Sequence, residues 1–281
     1  MGKGIGLIGN FKGKVGNTVG YKLTASNNGQ TQGIRVYQPI VKTPKSAGQA
    51  EQRAKLLAVN ATYRALKMVI DRGNEGLPYG NKSRLAWLKT ALKAEKMPWI
   101  EKNKPVTAPV VCTLTKGSLQ GLSYTPTPDN LKVDVAGVKS GSAMNTVGQL
   151  SAALIAAYPH LMKGDQLTFV FVGTGDTGMQ SEVVSIVLDS ESAETLNSLF
   201  ASVTAGDAVI EFEPHAGADF GCIIVSRQGA NGEHLRSTTT LSDGTGISDD
   251  KPYNAASKAA AIASYRASAA SNSDWAEESI Q

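Results

Sequence analysis

Residues 166–172 read Gln-Leu-Thr-Phe-Val-Phe-Val, with Gly164 and Asp165 before them and Gly173 after. A run this rich in β-branched and aromatic residues, set between turn formers, reads as a strand. Similar apolar runs lie at 110–115, 131–135, 182–188, 208–213, 222–227 and 235–241. Short strands at that spacing predict an antiparallel sandwich or barrel. Helical patterns at 146–158 and 193–203 interrupt the strands, so the domain is not purely β.

Upstream the pattern changes. Val15, Val19 and Tyr21 lead into Ser26-Asn27-Asn28-Gly29, and Ile34, Val36 and Tyr37 follow. Asn28-Gly29 tolerates the positive φ of a tight turn, which predicts a long two-stranded arm. Such a hairpin buries too little to stand alone and is expected to pack on another element or subunit. After Pro39 and Pro44, Ser46 with Gln49 marks a capping-box helix start. Leu56, Val59, Tyr63, Leu66 and Ile70 then recur on one helical face, and Gly73 ends the helix. A second helix is expected over 81–96, with Leu85, Leu88 and Leu92 inward and Lys82, Arg84, Lys89, Lys93 and Lys96 outward. Trp87 and Trp99 read either as core aromatics or as stacking platforms for nucleic acid. Residues 103–110, with Pro105 and Pro109, read as an extended linker. An alanine-rich helix over 255–270 has only a weak apolar face, and a polar tail follows it.

The expected fold is therefore α+β: an N-terminal β-hairpin arm with a two-helix pair, then a mainly antiparallel, sandwich-like β domain with inserted helices. Three regions follow from it: an assembly domain over 1–104, a β-rich domain over 105–250, and a C-terminal helix and tail over 251–281.

Charge divides along the same line. Residues 1–104 hold 19 Lys and Arg against 5 Asp and Glu, a net of +14, whereas 105–281 hold 9 against 19, a net of −10. Such polarity describes either two solvated surfaces or a basic end that faces nucleic acid or an acidic neighbour. No apolar run approaches the roughly 18 residues of a membrane span, and the N-terminus lacks a signal-peptide layout. Cys112 and Cys222 are far apart without a C-x-x-C partner, which indicates buried small hydrophobes and not a metal knuckle or disulfide framework.

No catalytic, cofactor or metal set is expected. Gly4, Gly6 and Gly9 spell G-x-G-x-x-G, but only three residues precede them, too few for the strand that a dinucleotide site needs. Gly13-Lys14 is followed by Val15, not by the Ser or Thr of a P-loop. His160, His215 and His234 are scattered, and the alternating Glu211, Glu213 and His215 are interrupted by Pro214 and read as a solvated strand face. Asp176-Thr177-Gly178 matches half of an aspartic-protease pair, and the second half is missing.

The stretch Gly13-Lys14-Val15-Gly16-Asn17-Thr18-Val19-Gly20-Tyr21, then Arg35, then Pro44-Lys45-Ser46 and Gln49-Ala50-Glu51-Gln52-Arg53, resembles a pattern found in proteins of Bacteroidota and in virion proteins of tailed phages. The family form is Gly-Lys-Val/Leu-Gly-Asn-x-Val-x-Tyr, a returning Arg, and Pro-Lys/Arg-Ser/Thr-x-x-Gln-x-x-Gln-Arg. A looser likeness continues through residues 164–171 and around 264–275. The resemblance implies a virion structural protein of the neck or tail of a crassvirus-like phage, forming a homo-oligomeric ring beside portal or tail components. On that reading Lys14, Val15, Asn17, Val19, Tyr21, Arg35, Gln49, Gln52 and Arg53 serve assembly. In such a ring Arg53, Lys89 and Lys93 would meet packaged DNA or an acidic neighbour. Two other classes stay open: a nonspecific nucleic-acid-binding protein using the basic half, and a virion-borne cell-wall hydrolase.

Overall fold

Alternate side chains of the strand over Gln166–Gly173 enter two different cores. Leu167, Phe169 and Phe171 face one, and Val170 and Val172 face the other. A strand buried on both faces needs a cover on each side, and that requirement organises the whole fold. The computed structural model describes residues 46–274 apart from 143, 176–177, 216, 231 and 244–251, together with the strands 13–15, 18–22 and 32–36.

Three strands near the N-terminus, β1 (Gly13–Val15), β2 (Thr18–Lys22) and β3 (Gln32–Val36), form an antiparallel sheet in chain order. The expected arm had two strands; the pairing of Val15 with Thr18 adds a third. The expected turn residues Ser26, Asn27, Asn28 and Gly29 lie outside the described residues. These strands belong to one compact unit, Met1–Pro44 with Asn272–Gln281, and Lys45–Ser271 form another.

The larger unit is α+β with a sandwich-like β domain. Three helices open it, α1 (Ala47–Ala65), α2 (Lys67–Ile70) and α3 (Asn81–Ala91). They are followed by β4 (Thr113–Thr115), β5 (Tyr124–Thr127), β6 (Asn130–Asp134) and α4 (Val147–Ala157). β7 is the opening strand, Gln166–Gly173, and β8 (Gln180–Val187), β9 (Ser202–Gly206), β10 (Val209–Glu213) and β11 (Phe220–Gln228) succeed it. The chain continues through β12 (His234–Arg236), β13 (Thr239–Thr240) and β14 (Ser242–Asp243) to α5 (Ala255–Asp274).

One sheet has the order β5-β6-β10-β9 and the other β12-β11-β7-β8, with β14 beside the start of β11; β13 pairs with β4. The ladders among these described strands are antiparallel. The first core lies between the two sheets and gathers Leu131, Val133, Ile210, Phe212, Phe169, Phe171 and Phe200, with α4 closing one side. The second lies on the far face of β7 and β11. There Val170, Val172, Cys222 and Ile224 pack against Val59, Ile70 and Trp87 of the helices.

That second core explains why the larger unit does not divide near residue 104. The helices and the β7–β11 pair bury their apolar surface in each other, so the change of charge sign falls inside one unit. Cys112 and Cys222 are free thiols buried in this same cluster. Burial pushes the Cys112 thiol up to about 12.

Several elements differ from their expected form for identifiable reasons. The segment 193–203 holds only one 3₁₀ turn, at Leu196–Ser198, before β9 begins. Its helix-like spacing came from Leu196 and Phe200, both of which enter the first core. β5 was hidden by Pro126, and it is an edge strand, where a missing N–H is tolerated. The first helix breaks at Leu66 (φ −109°, ψ 24°), and Val69 and Ile70 of the following turn are buried. α4 starts with a full capping box between Thr146 and Gln149. A Cβ at Gly148 would come 2.6 Å from the Ser192 carbonyl oxygen, so glycine there lets the helix lie against that loop.

Polar clamps tie the layers. Asp165, 1% exposed, accepts from Arg227 Nε at 2.6 Å, from Arg227 Nη2 at 2.7 Å and from the Met162 N–H at 2.8 Å. Arg227 Nη2 also donates to the His160 carbonyl at 2.7 Å. Glu75, beyond α2, accepts from the N–H groups of Ser118 (2.9 Å) and Arg236 (3.1 Å), which fastens the helical layer to two β connections. Among the described residues no helix is long and apolar enough to cross a membrane.

Candidate assembly surface

α1 is a two-faced helix whose inner face is made of small residues. Ser46 caps it by accepting from the Gln49 N–H at 3.4 Å. Ala50, Ala54, Ala58 and Thr62, spaced by four, are buried together with Val59. Thr62 Oγ1 donates to the Ala58 carbonyl and accepts the Val110 N–H, each at 3.0 Å, which draws the extended segment 108–110 against the helix. The expected inward stripe is thus partly turned: Leu56 is 42% exposed, because alanine, not leucine, makes the close contact.

The opposite face carries Gln49, Gln52, Arg53, Leu56, Asn60 and Arg64 at helical spacing. The guanidinium groups of Arg53 and Arg64 make no ion pair or side-chain hydrogen bond among the described residues. α3 repeats this arrangement. Ser83, Trp87 and Ala91 are buried, while Lys82, Leu85 and Lys89, with Lys93 just beyond the helix, form one exposed row. Leu85 is 48% exposed, so the expected Leu85-Leu88-Leu92 inner stripe is replaced by Ser83, Trp87 and Ala91, with Leu88 and Leu92 half-buried beside them. Each outer row therefore presents positive charge around a single leucine and contains no carboxylate.

Arg84, Lys55 and Lys258 are engaged within the unit. Arg84 lies 4.5 Å above the Tyr63 ring, and the Tyr63 hydroxyl donates to Asp71 at 2.9 Å. Trp99 is covered by Lys258 at 4.9 Å and Lys55 at 5.8 Å, and Glu51 bonds both ammonium groups, at 3.1 and 3.0 Å. Lys55 first and Lys258 second hold the Glu51 carboxyl below its usual range. The stability from this clamp is complete above the ordinary carboxylate range and is lost as pH falls through the lowered value. Trp87 is therefore a core residue, and Trp99 is a docking aromatic that seats α5.

Where the outer row of α1 approaches the start of β8 there is an open cleft of 480 Å³. Asn60, Arg64, Lys104, Pro105, Val106 and Met179 line it. The Met179 N–H donates to the Val106 carbonyl at 3.1 Å, and Ser181 Oγ donates to the Ala65 carbonyl at 2.9 Å. The cleft escaped sequence reasoning because residues 103–110 look like a linker; the only signal was their two prolines beside Lys104.

In the arm the register sets Lys14 opposite Val19 and Val19 opposite Arg35, one cross-strand row; Val15 pairs with Thr18, and Tyr21 with Gly33. Asn17 lies outside the described residues. Gln49, Gln52 and Arg53 share the outer face of α1, while Lys89 and Lys93 stand one turn apart on the other row.

The remaining candidates serve the fold. Glu211 pairs with Lys132 at 2.7 Å, and Glu213 accepts from Ser202 at 2.7 Å. Among the described residues no group of three or more His, Cys, Asp or Glu is placed to hold a metal ion. Asp176 and Thr177 lie outside the described residues. No protein-family model, curated protein or solved structure matches the chain.

Proposed function

We propose that the chain is a non-enzymatic structural subunit of a phage virion, assembling as a ring in the neck or tail through which DNA passes. The observation that carries this reading is the pair of one-signed outer rows on α1 and α3. Arg53, Arg64, Lys82, Lys89 and Lys93, which have no ion pair among the described residues, lie in a unit whose β-rich remainder is acidic. Fields of opposite sign on one subunit favour head-to-tail contact between copies and attract a polyanion to the basic side. The likeness of residues 13–53 to the tailed-phage pattern points to the virion as the place of assembly.

Two measurements test the proposal. The native mass of the full chain should rise with concentration to one fixed multiple of 29.4 kDa. A chain that stays monomeric, and is absent from purified virions of its phage, removes the reading.

The exposed lysine row of α3 favours a second reading, nonspecific nucleic-acid binding. On that reading duplex affinity falls with salt by a log–log slope of about 0.9 per phosphate contacted. The triple variant Lys82→Glu, Lys89→Glu, Lys93→Glu should then flatten the slope by about 3. If affinity does not respond to salt, the row serves protein contacts alone.

A further inference from the structure

The second sheet ends at β8, whose only strand neighbour among the described residues is β7. The Leu188 N–H donates to the Asp165 carbonyl at 2.8 Å on the β7 side. Backbone groups alternate in an antiparallel ladder, so Ser181, Val183, Ser185 and Val187 turn theirs away from β7. Met179 has the same parity and already uses that side, donating outward to the extended residue Val106 at 3.1 Å. From Ser181 to Val187 the outward row has no backbone partner among the described residues.

This edge carries one charge, Glu182, and few of the usual guards besides. It is eight residues long, reads Gln-Ser-Glu-Val-Val-Ser-Ile-Val, and contains neither proline nor lysine. Val183 is 38% and Val187 56% exposed, on the face that the helical layer leaves open. Bare edges of this kind accept added strands.

The chain carries a strand suited to it. β3 lies at the margin of the arm sheet, and that arm belongs to a compact unit of its own. Residues 1–45 hold seven Lys and Arg and no Asp or Glu. β8 runs directly into Asp189, Glu191 and Glu194, where a single ammonium, Lys163, serves the first two at 3.0 and 3.1 Å. Three carboxylates against one cation leave this end of the strand negative. In sequence, Ile34 and Val36 alternate with Arg35, which matches an edge that offers valines beside acids.

We propose that the free edge of β8 is the acceptor for the N-terminal arm of a second copy of this chain, which adds β3 as a further strand. The inference rests on the reading of the chain as a self-assembling subunit and names the joint. Val106 at Met179 marks one end of the acceptor row, and the acidic loop after Val187 marks the other.

The test uses the full chain. Hydrogen exchange should slow in peptides covering 180–187 and 32–36 as concentration rises and copies associate. The double variant Val183→Lys, Val187→Lys, which charges only exposed positions, should raise the concentration of half-assembly by at least about tenfold. Leu77→Lys, which also puts a lysine at an exposed apolar position but on a turn after α2, should leave it unchanged. Wild-type chain that assembles while exchange over 180–187 stays constant overturns the edge joint and leaves self-assembly standing. So does a double variant that assembles like wild type. Wild-type chain that remains monomeric overturns self-assembly, and the joint with it. The exchange measurement needs no variant, so misfolding of the lysine pair does not blunt the test.

Discussion

Phe169→Ala is expected to lower the unfolding free energy by about 4 kcal/mol, the upper part of the range for a buried aromatic. The ring is fully buried and lies 4.7 Å from Phe212, 5.2 Å from Phe200 in an edge-to-face arrangement, and 6.4 Å from Phe171. These partners come from β10, from the turn before β9, and from β7 itself. Truncation therefore removes the group at which both sheets and that turn meet. The neighbours are held on separate elements, so the space cannot collapse, and a cavity term adds to the transfer loss. Urea titration followed by tryptophan fluorescence should show the midpoint fall with little change in slope. Phe169→Leu should cost about 1–2 kcal/mol because most of the volume is kept.

Asp165→Ala should be the next most damaging change, at about 3 kcal/mol. The carboxylate is desolvated and orients Arg227, and it also accepts the Met162 N–H, so its removal strands three donors. Part of that loss is recovered by water, because the Arg227 side chain is 22% exposed. Pairing the change with Arg227→Met supplies the mechanistic check. The double variant is expected to lose less than the sum of the singles, because the stranded guanidinium is gone. Strict additivity in the cycle would mean that the pair contributes nothing as a pair.

These two residues also show what can be read from a chain of this kind. The strand containing Phe169 was readable because seven consecutive strand-forming residues sit between turn formers, and its antiparallel class followed from the spacing of similar runs. Asp165 looked like a turn residue, and it is one; its salt bridge was invisible because Arg227 lies 62 residues away. The inner faces of α1 and α3 were read correctly at Val59, Leu66, Ile70, Leu88 and Leu92 and wrongly at Leu56 and Leu85, for a single reason. Leucine and tyrosine spacing was given more weight than alanine spacing, yet close helix packing prefers the small residues Ala50, Ala54, Ala58 and Ala91. The charged rows were read more easily than the buried ones, since lysines at 82, 89 and 93 have few places to go but outward. Neither the cleft at Lys104 nor the bare edge of β8 was legible, because both depend on which strand ends a sheet, and strand order is a long-range property.

The second core has a consequence for how the chain is made. Its helical half is complete at Ala91, but β11, which supplies Phe220, Cys222 and Ile224 to the same core, ends at Gln228. Synthesis proceeds at about 5–20 residues per second, so the roughly 140 residues between them take about 7–30 s. Throughout that interval Val59, Ile70 and Trp87 lack their sheet. Nascent chains stalled before residue 220 should be cleaved within α1 and α3 by dilute protease, and chains stalled well past 228 should resist. The newly made chain thus passes through a period in which its helical layer is open to protease and to holding factors, and that period shortens as the ribosome reaches β11 sooner.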